Sequence, residues 1–270
     1  MQEVVTVAAC SQLQRAIDIV DADSHVKIIL EQGSTADIII RIHGKASVCN
    51  HLTEVSIGAE AVCTVLTVNA AKSDAVVSIK QSGSIGEGGS LKWQNVTLGG
   101  ADVSHDVVSK AVGNDSESAI DWMFYAKGDE RQVLTARNIF EGLRGGGEVL
   151  MRGVAEGKAH ATAKGMIEIG EKGNGTNTYL TQQVLMLDLS AKVDAVPGLE
   201  IKTNDVKASH SATVARVTPE DLFYFAARGI STHEARAMFV QGFLGEITAR
   251  IEHQNNRELV SQMIGEKYAL

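Results

Sequence analysis

The chain has 270 residues, of which 44% are hydrophobic and only 4% aromatic, and it carries 26 Gly but 2 Pro. Its net charge of −8 argues against nonspecific nucleic-acid binding, which needs an excess of Lys and Arg to neutralise phosphates. Three cysteines do not make a disulfide framework, and no apolar run suits a signal peptide or membrane span, so we expect a reducing cytoplasm.

The first predicted element is a short amphipathic helix over residues 11–22, SQLQRAIDIVDA. Leu13, Ile17 and Val20 would share one side of it, with Ser11 as the N-cap. We therefore assign residues 1–25 to an N-terminal helical segment.

From residue 26 the pattern changes to short β-branched runs bounded by Gly, Ser, Asp or Asn, among them VKIIL, ADIIIRI and AVCTVLTV. These runs predict strands joined by short loops. The segment 44–49 is repeated at 58–63, and residues 72–77 follow at the same spacing. This short repeat predicts a solenoid over residues 26–217, because each coil must bury its face on its neighbours. An antiparallel sandwich is the competing interpretation.

Residues 218–270 are predicted to be helical. Thr218 and Pro219 start one helix, and Ser231 with Glu234 forms a capping box that starts a second. A third segment spans about residues 255–267. Four of the six Phe residues lie in the first two helices, which suits either a local core or a docking surface: Phe223, Phe225, Phe239 and Phe243.

The stretch 197–245 contains LEI-x-x-x-DV-x-x-SH-x-ATV, then LFY-x-x-x-RGI, then EA-x-x-x-x-x-x-GF. In these motifs and their order the chain resembles the SufB/SufD family of iron–sulfur cluster assembly scaffolds. Fainter similarity extends upstream to about residue 82. The resemblance implies a mainly β fold, a right-handed parallel β-helix with a C-terminal helical domain.

The resemblance also implies partners. Family members bind a SufC-like ABC-type ATPase through their last helices and pair two β-helix subunits through their strands. Phe223, Tyr224, Arg228 and Phe243 would then anchor the ATPase, and aromatic and Arg side chains are enriched at such interfaces. The second subunit would be a copy of this chain or another SufB/SufD-like protein, and iron–sulfur acceptor proteins would receive the cluster.

The residues expected to bind the cluster match the family pattern only in part. The family's interface histidine matches His210, but its neighbouring cysteine is Ile201 here, and a second, sulfur-receiving cysteine would fall near Ser84. By these marks the chain resembles SufD or an ancestral form. If the short repeat is one coil, Cys49 and Cys63 stack on consecutive coils and could ligate a cluster, expected to be of the four-iron type.

Cys10 or His51 could complete such a ligand set. The alternative is that the stacked cysteines are small core residues. The other histidines show no metal-binding spacing and are expected at the surface: His25, His43, His105, His160, His233 and His253.

The sequence therefore predicts a non-enzymatic scaffold that works with an ATPase partner. The glycines at 145–147 mark a tight bend and lack the lysine of a phosphate-binding loop. One rival is a structural subunit of the same complex without ligands, which requires Cys49 and Cys63 to face a dry core. A polysaccharide-active β-helix enzyme is the remote rival, because the aromatic sugar platforms it needs are scarce between positions 26 and 200.

Overall fold

The computed structural model describes residues 1–43 and 46–269, and within them the chain forms sixteen strands followed by three helices. The odd-numbered strands make one parallel sheet, sheet A, and the even-numbered strands make a second, sheet B. Sheet A contains β1 Gln2–Val7, β3 Asp23–Leu30, β5 Val48–Ile57, β7 Val76–Ile85, β9 Asp102–Ala111, β11 Arg131–Phe140, β13 His160–Ile169 and β15 Lys192–Ile201. Sheet B contains β2 Gln12–Ile19, β4 Thr35–Ile42, β6 Val62–Asn69, β8 Ser90–Thr97, β10 Glu117–Ala126, β12 Gly146–Ala155, β14 Asn177–Met186 and β16 Lys207–Arg216.

This arrangement is a parallel β-solenoid, and it confirms the predicted fold class. Each coil contributes one strand to each sheet, so the sequence separation between stacked partners is that of a whole coil. Gln2 stacks on His25 in the first coils, and His160 stacks on Lys192 near the other end. The repeat found in the sequence is much shorter than these separations and corresponds to half a coil. Gly44 and Lys45, which open its first copy, lie outside the described residues.

The N-terminal helix predicted for residues 11–22 is wrong, because this segment forms strand β2 and pairs with β4. Ile17 and Ile19 point into the core, whereas Val20 is 56% exposed. The apolar spacing of Leu13, Ile17 and Ile19 fits a strand with period two as well as Leu13, Ile17 and Val20 fit a helix. Backbone pairing with the next coil decides between the two.

In each of the first seven coils, the turn from sheet A to sheet B passes through the left-handed region of backbone conformation. The residues with positive φ at this turn are Cys10, Gly33, Glu60, Gly88, Asp115, Arg144 and Gly175. Each donates its backbone N–H to a carbonyl of the following coil, at distances of 2.6 to 3.0 Å. The turns thus continue the backbone ladder of the strands around the corner of the solenoid.

Two of the three apolar clusters are large. The inner cluster fills the space between the two sheets along the solenoid, with alternate residues of each strand pointing inward. The outer cluster lies on the opposite face of sheet B, where Leu66, Val96, Met123, Leu150 and other strand residues meet the C-terminal helices. Strands such as β10 are consequently buried on both faces.

The helices are α1 Pro219–Ala226, α2 Thr232–Thr248 and α3 Gln254–Ala269. Both predicted N-caps are confirmed, since the Thr218 and Ser231 hydroxyls accept from the backbone N–H of Asp221 and Glu234. Helices α2 and α3 pack on sheet B, whereas α1 buries none of its residues. Among the helices that the structure describes, none has the length and hydropathy needed to cross a membrane.

The bend predicted at residues 145–147 depends on Gly147, which has φ +128°, and where a Cβ atom would collide with the backbone of Ser118 in the preceding coil. We expect Gly147→Ala to lower the free energy of unfolding by about 2–3 kcal/mol, since both strain and overlap oppose the side chain. Urea unfolding measures the change.

Gly146→Ala is the matched control, because a Cβ there meets only the Glu117 side chain at 3.8 Å. Equal stabilities for the two variants would contradict the described register of β12 against β10.

Candidate functional site

Cys49 and Cys63 do not stack on each other. Cys49 lies in β5 of sheet A, opposite Val77, and Cys63 lies in β6 of sheet B, opposite Ala36 and Leu91. The prediction of consecutive stacking is wrong because the chain between the two cysteines crosses only half a coil, into the other sheet. Both side chains belong to the inner apolar cluster.

The environment of these two thiols opposes ionisation. Burial, aided by the charge of Asp37, raises the pKa of Cys63 to about 12, and burial with Asp23 nearby raises the pKa of Cys49. The thiolate is the form that binds metal, so the raised pKa of each cysteine disfavours the form that iron would need. Cys10 differs, because it is exposed in the left-handed turn between β1 and β2.

His210 lies at the open end of the solenoid, in β16, which is the edge strand of sheet B. It is exposed and stands opposite Leu180, a member of the inner cluster. Ile201 has the equivalent place in sheet A: it ends edge strand β15, opposite Ile169, and is 41% exposed. Both positions therefore belong to the last layer of the solenoid, above the buried core.

The predicted metal-ligating residues are thus separated. Cys10 is in a turn of the first coil, Cys49 and Cys63 are inside the third coil in opposite sheets, and His210 is in the last strand. Within residues 1–43 and 46–269, no group of three or more His, Cys, Asp or Glu side chains could hold a metal ion. Ser84, near which the family's second cysteine was expected, is an exposed residue of β7.

Helix α1 exposes two of its aromatic side chains to solvent. Phe223 is 74% exposed and Tyr224 is 55% exposed. The Arg228 guanidinium lies 3.7 Å from the Tyr224 ring centroid, and its Nη1 donates to the Tyr224 carbonyl oxygen at 3.2 Å. Helix α1 contacts α2 through an edge-to-face pair of Phe225 and Phe239, with ring centroids 5.5 Å apart.

Phe243, in contrast, is half-buried on α2 beneath the guanidinium of Arg152, which lies 4.9 Å from its ring centroid. The same Arg152 donates through Nε to Gln183 at 2.8 Å and through Nη1 to the Phe243 carbonyl at 3.1 Å. Each interpretation of the aromatic residues therefore fits some of them. Phe243 packs in the local core, whereas Phe223 and Tyr224 are exposed at the surface.

Buried ion pairs hold α2 and α3 on the solenoid, and sequence patterns did not indicate them. Asp121, on β10, is nearly inaccessible and accepts from Arg250 Nε at 3.1 Å, with Lys92 Nζ at 3.5 Å. Burial raises the pKa of Asp121, although Arg250 and Lys92 oppose the shift. Near the chain end, Lys267 Nζ lies 2.8 Å from the carboxylate of Glu130. Arg250 and Lys267 are distant in sequence from these carboxylates, which hides both pairs from any local motif.

Polar side chains also occur inside the solenoid, and one of them corrects a prediction. His105, expected at the surface, is buried, and its Nε2 donates to Gln81 Oε1 at 2.9 Å. Gln81 in turn donates to Thr67 Oγ1 at 2.7 Å, and His51 lies between Ser24 and Thr53 at 2.8 and 2.7 Å. Burial, with His51 nearby, lowers the pKa of His105 to about 3. Burial also lowers the pKa of His51, to about 4.

These neutral histidines predict a loss of stability in acid. The unfolded chain binds protons near pH 6.5 and the folded chain does not, so stability is full above about pH 6.5 and falls as the pH drops toward 4. We expect His105→Gln to flatten this slope by about 1 kcal/mol per pH unit, as measured by urea unfolding between pH 7 and pH 4.5.

His210→Gln is the matched control for losing one exposed imidazole. A slope for His105→Gln equal to that of the wild type would mean that His105 is not buried neutral.

Known proteins of one family are similar to this chain over most of its length. The family model for the SUF system FeS cluster assembly SufBD core domain matches residues 16–243. The chain is 30% identical over 172 residues to the iron–sulfur cluster assembly protein SufD of Escherichia coli K12, covering 63% of this chain and 40% of the relative. It is 27% identical over 244 residues to SufD of Bacillus subtilis 168, covering 88% of this chain and 56% of the relative.

A SufBD family protein of Mycobacterium tuberculosis H37Rv is 28% identical over 253 residues, covering 90% of this chain and 63% of the relative. The chain thus spans between two fifths and two thirds of the length of these curated relatives.

Proposed function

Because the chain belongs to the SufBD core family, we propose that it acts in iron–sulfur cluster assembly as a non-enzymatic scaffold subunit. The observation that carries the proposal is the combination of an uncovered solenoid end with an exposed aromatic helix on one chain. The solenoid end would pair with another solenoid subunit, and the aromatic helix would bind an ABC-type ATPase. We expect this work to take place in the cytoplasm.

The end formed by β15 and β16 has the properties of a pairing surface. Both are edge strands, so one side of each backbone is free to extend its sheet by another strand. The last inward-facing layer carries Ile201, His210 and Val214, and the two apolar members are 41% and 44% exposed. A second solenoid placed end to end, whether a copy of this chain or another SufB/SufD-like subunit, would cover them.

The cluster itself is cargo in this proposal. A neutral imidazole can bind iron, and exposed His210 at the pairing surface could supply one ligand. Cys49 and Cys63 do not fit as ligands, since each is buried in a different sheet with its pKa raised. The thiolates that an iron–sulfur cluster normally requires would then come from the second subunit.

The docking proposal rests on α1. A helix that buries none of its residues and exposes Phe223 and Tyr224 leaves apolar area that a partner can cover. Arg228, stacked on Tyr224, adds a cation beside this area. The chain would use α2 and α3, fixed on sheet B, as the base that carries α1.

One observation favours a second candidate, a structural subunit without cluster ligands of its own. That candidate requires Cys49 and Cys63 to face an apolar core, and both do. The two candidates differ only in the role of His210, and they share the pairing end and the docking helix.

Native mass spectrometry of the chain with the ABC-type ATPase of the same organism tests the proposal. We expect an assembly that contains two solenoid subunits and the ATPase, with the second solenoid supplied as a copy or as a SufB-like subunit. Phe223→Ser/Tyr224→Ser should lose the ATPase and keep the paired solenoids. Val214→Lys should lose the pairing and keep the ATPase, because a buried unpaired charge opposes closure of the end.

Val76→Ser is the control, since Val76 is 51% exposed on sheet A, away from both surfaces. A wild-type chain that binds neither a second solenoid nor the ATPase would contradict the proposal.

A further inference from the structure

Leu189 is the most exposed large hydrophobic side chain in the described part of the chain, at 85%. It stands at the centre of the turn between β14 and β15, flanked by Asp188 and Ser190. A single exposed leucine is ordinary on a protein surface. The turn that carries it, however, is held in place by several side-chain hydrogen bonds.

Both neighbours of Leu189 tie the turn to the preceding coil. Asp188 Oδ2 accepts from the backbone N–H of Gly157 at 2.7 Å, and Ser190 Oγ donates to the Gly157 carbonyl at 2.6 Å. Asp188 also accepts from Arg236 Nη2 of α2 at 2.8 Å. The turn is thus fixed to the solenoid and to α2 at once, and these bonds hold the backbone that carries Leu189.

The turn also leaves the solenoid at the same corner as α1. Strands β14 and β16 end side by side, with Met186 opposite Arg216, and Val217 N donates to the Met186 carbonyl at 3.1 Å. Leu187 and Val217, the next residues of the two strands, both join the outer cluster beneath the helices. Leu189 lies two residues after Leu187, and α1 begins at Pro219, two residues after Val217.

We propose that Leu189 is an anchor for the ABC-type ATPase, supplied by the solenoid and continuous with the aromatic surface of α1. This inference rests on the proposed function. An apolar side chain on a hydrogen-bonded turn, at the corner where α1 begins, gains contact area on binding, and its turn has little conformational freedom left to lose. The docking surface is then a composite of solenoid and helix, which fixes how the ATPase is oriented relative to the coils.

Isothermal titration of the purified full chain with the ABC-type ATPase of the same organism tests the inference. We expect Leu189→Ser to weaken binding by about tenfold or more, the loss typical of an interface anchor. Val20→Ser is the matched control, because Val20 is 56% exposed in a turn near the other end of the solenoid. The Leu189→Ser variant should unfold at the wild-type temperature, since the side chain makes little packing contact.

The outcomes separate this inference from the proposed function. If Phe223→Ser weakens binding and Leu189→Ser binds as the wild type does, the anchor is rejected while the docking proposal stands. If Leu189→Ser and Val20→Ser weaken binding equally, the anchor is also rejected. If the wild-type chain does not bind the ATPase, the proposed function itself fails.

Discussion

The backbone hydrogen bonds between successive coils are the interaction on which the structure depends. Within each sheet the strands pair in parallel with those of the neighbouring coils, and the left-handed turn continues this ladder through residues such as Glu60, Asp115 and Arg144. Nothing in this hydrogen-bond pattern prevents another strand from pairing with the last one. The chain therefore has edge strands at both ends of the solenoid, and the end formed by β15 and β16 is the one that the family motif occupies.

The same stacking separates a buried interior from an exposed last layer. Side chains that point inward meet equivalent side chains of the neighbouring coils, so Cys49 and Cys63 become core residues with protonated thiols. In the last layer His210 has a coil below it and none above, and we propose this layer as the place for chemistry that needs a partner. Helices α2 and α3 cover one face of sheet B and are fixed there by buried pairs such as Asp121 with Arg250.

Much of this fold follows from the sequence, because β-branched runs and turn residues recur in each coil and the caps at Thr218 and Ser231 use local chemistry. The errors have a common physical cause: local patterns do not specify which residues meet across coils. The short repeat is real, but only the pairing of Cys49 with Val77 reveals it as half a coil. The segment containing Ile17 becomes a strand because β4 pairs with it. The burial of His105 and the contact of Phe243 with Arg152 likewise depend on residues distant in sequence.

The claim that any cluster on this chain is held at the solenoid end, and not by the inner cysteines, has a direct test. The chain, paired with its second solenoid subunit and the ATPase, is reconstituted anaerobically with ferrous iron and sulfide. Visible charge-transfer absorbance and iron per complex are compared for the wild type, Cys49→Ser/Cys63→Ser and His210→Ala. We predict wild-type absorbance and iron in the double serine variant and a loss of both in His210→Ala. A chromophore that is lost in Cys49→Ser/Cys63→Ser and retained in His210→Ala would contradict it.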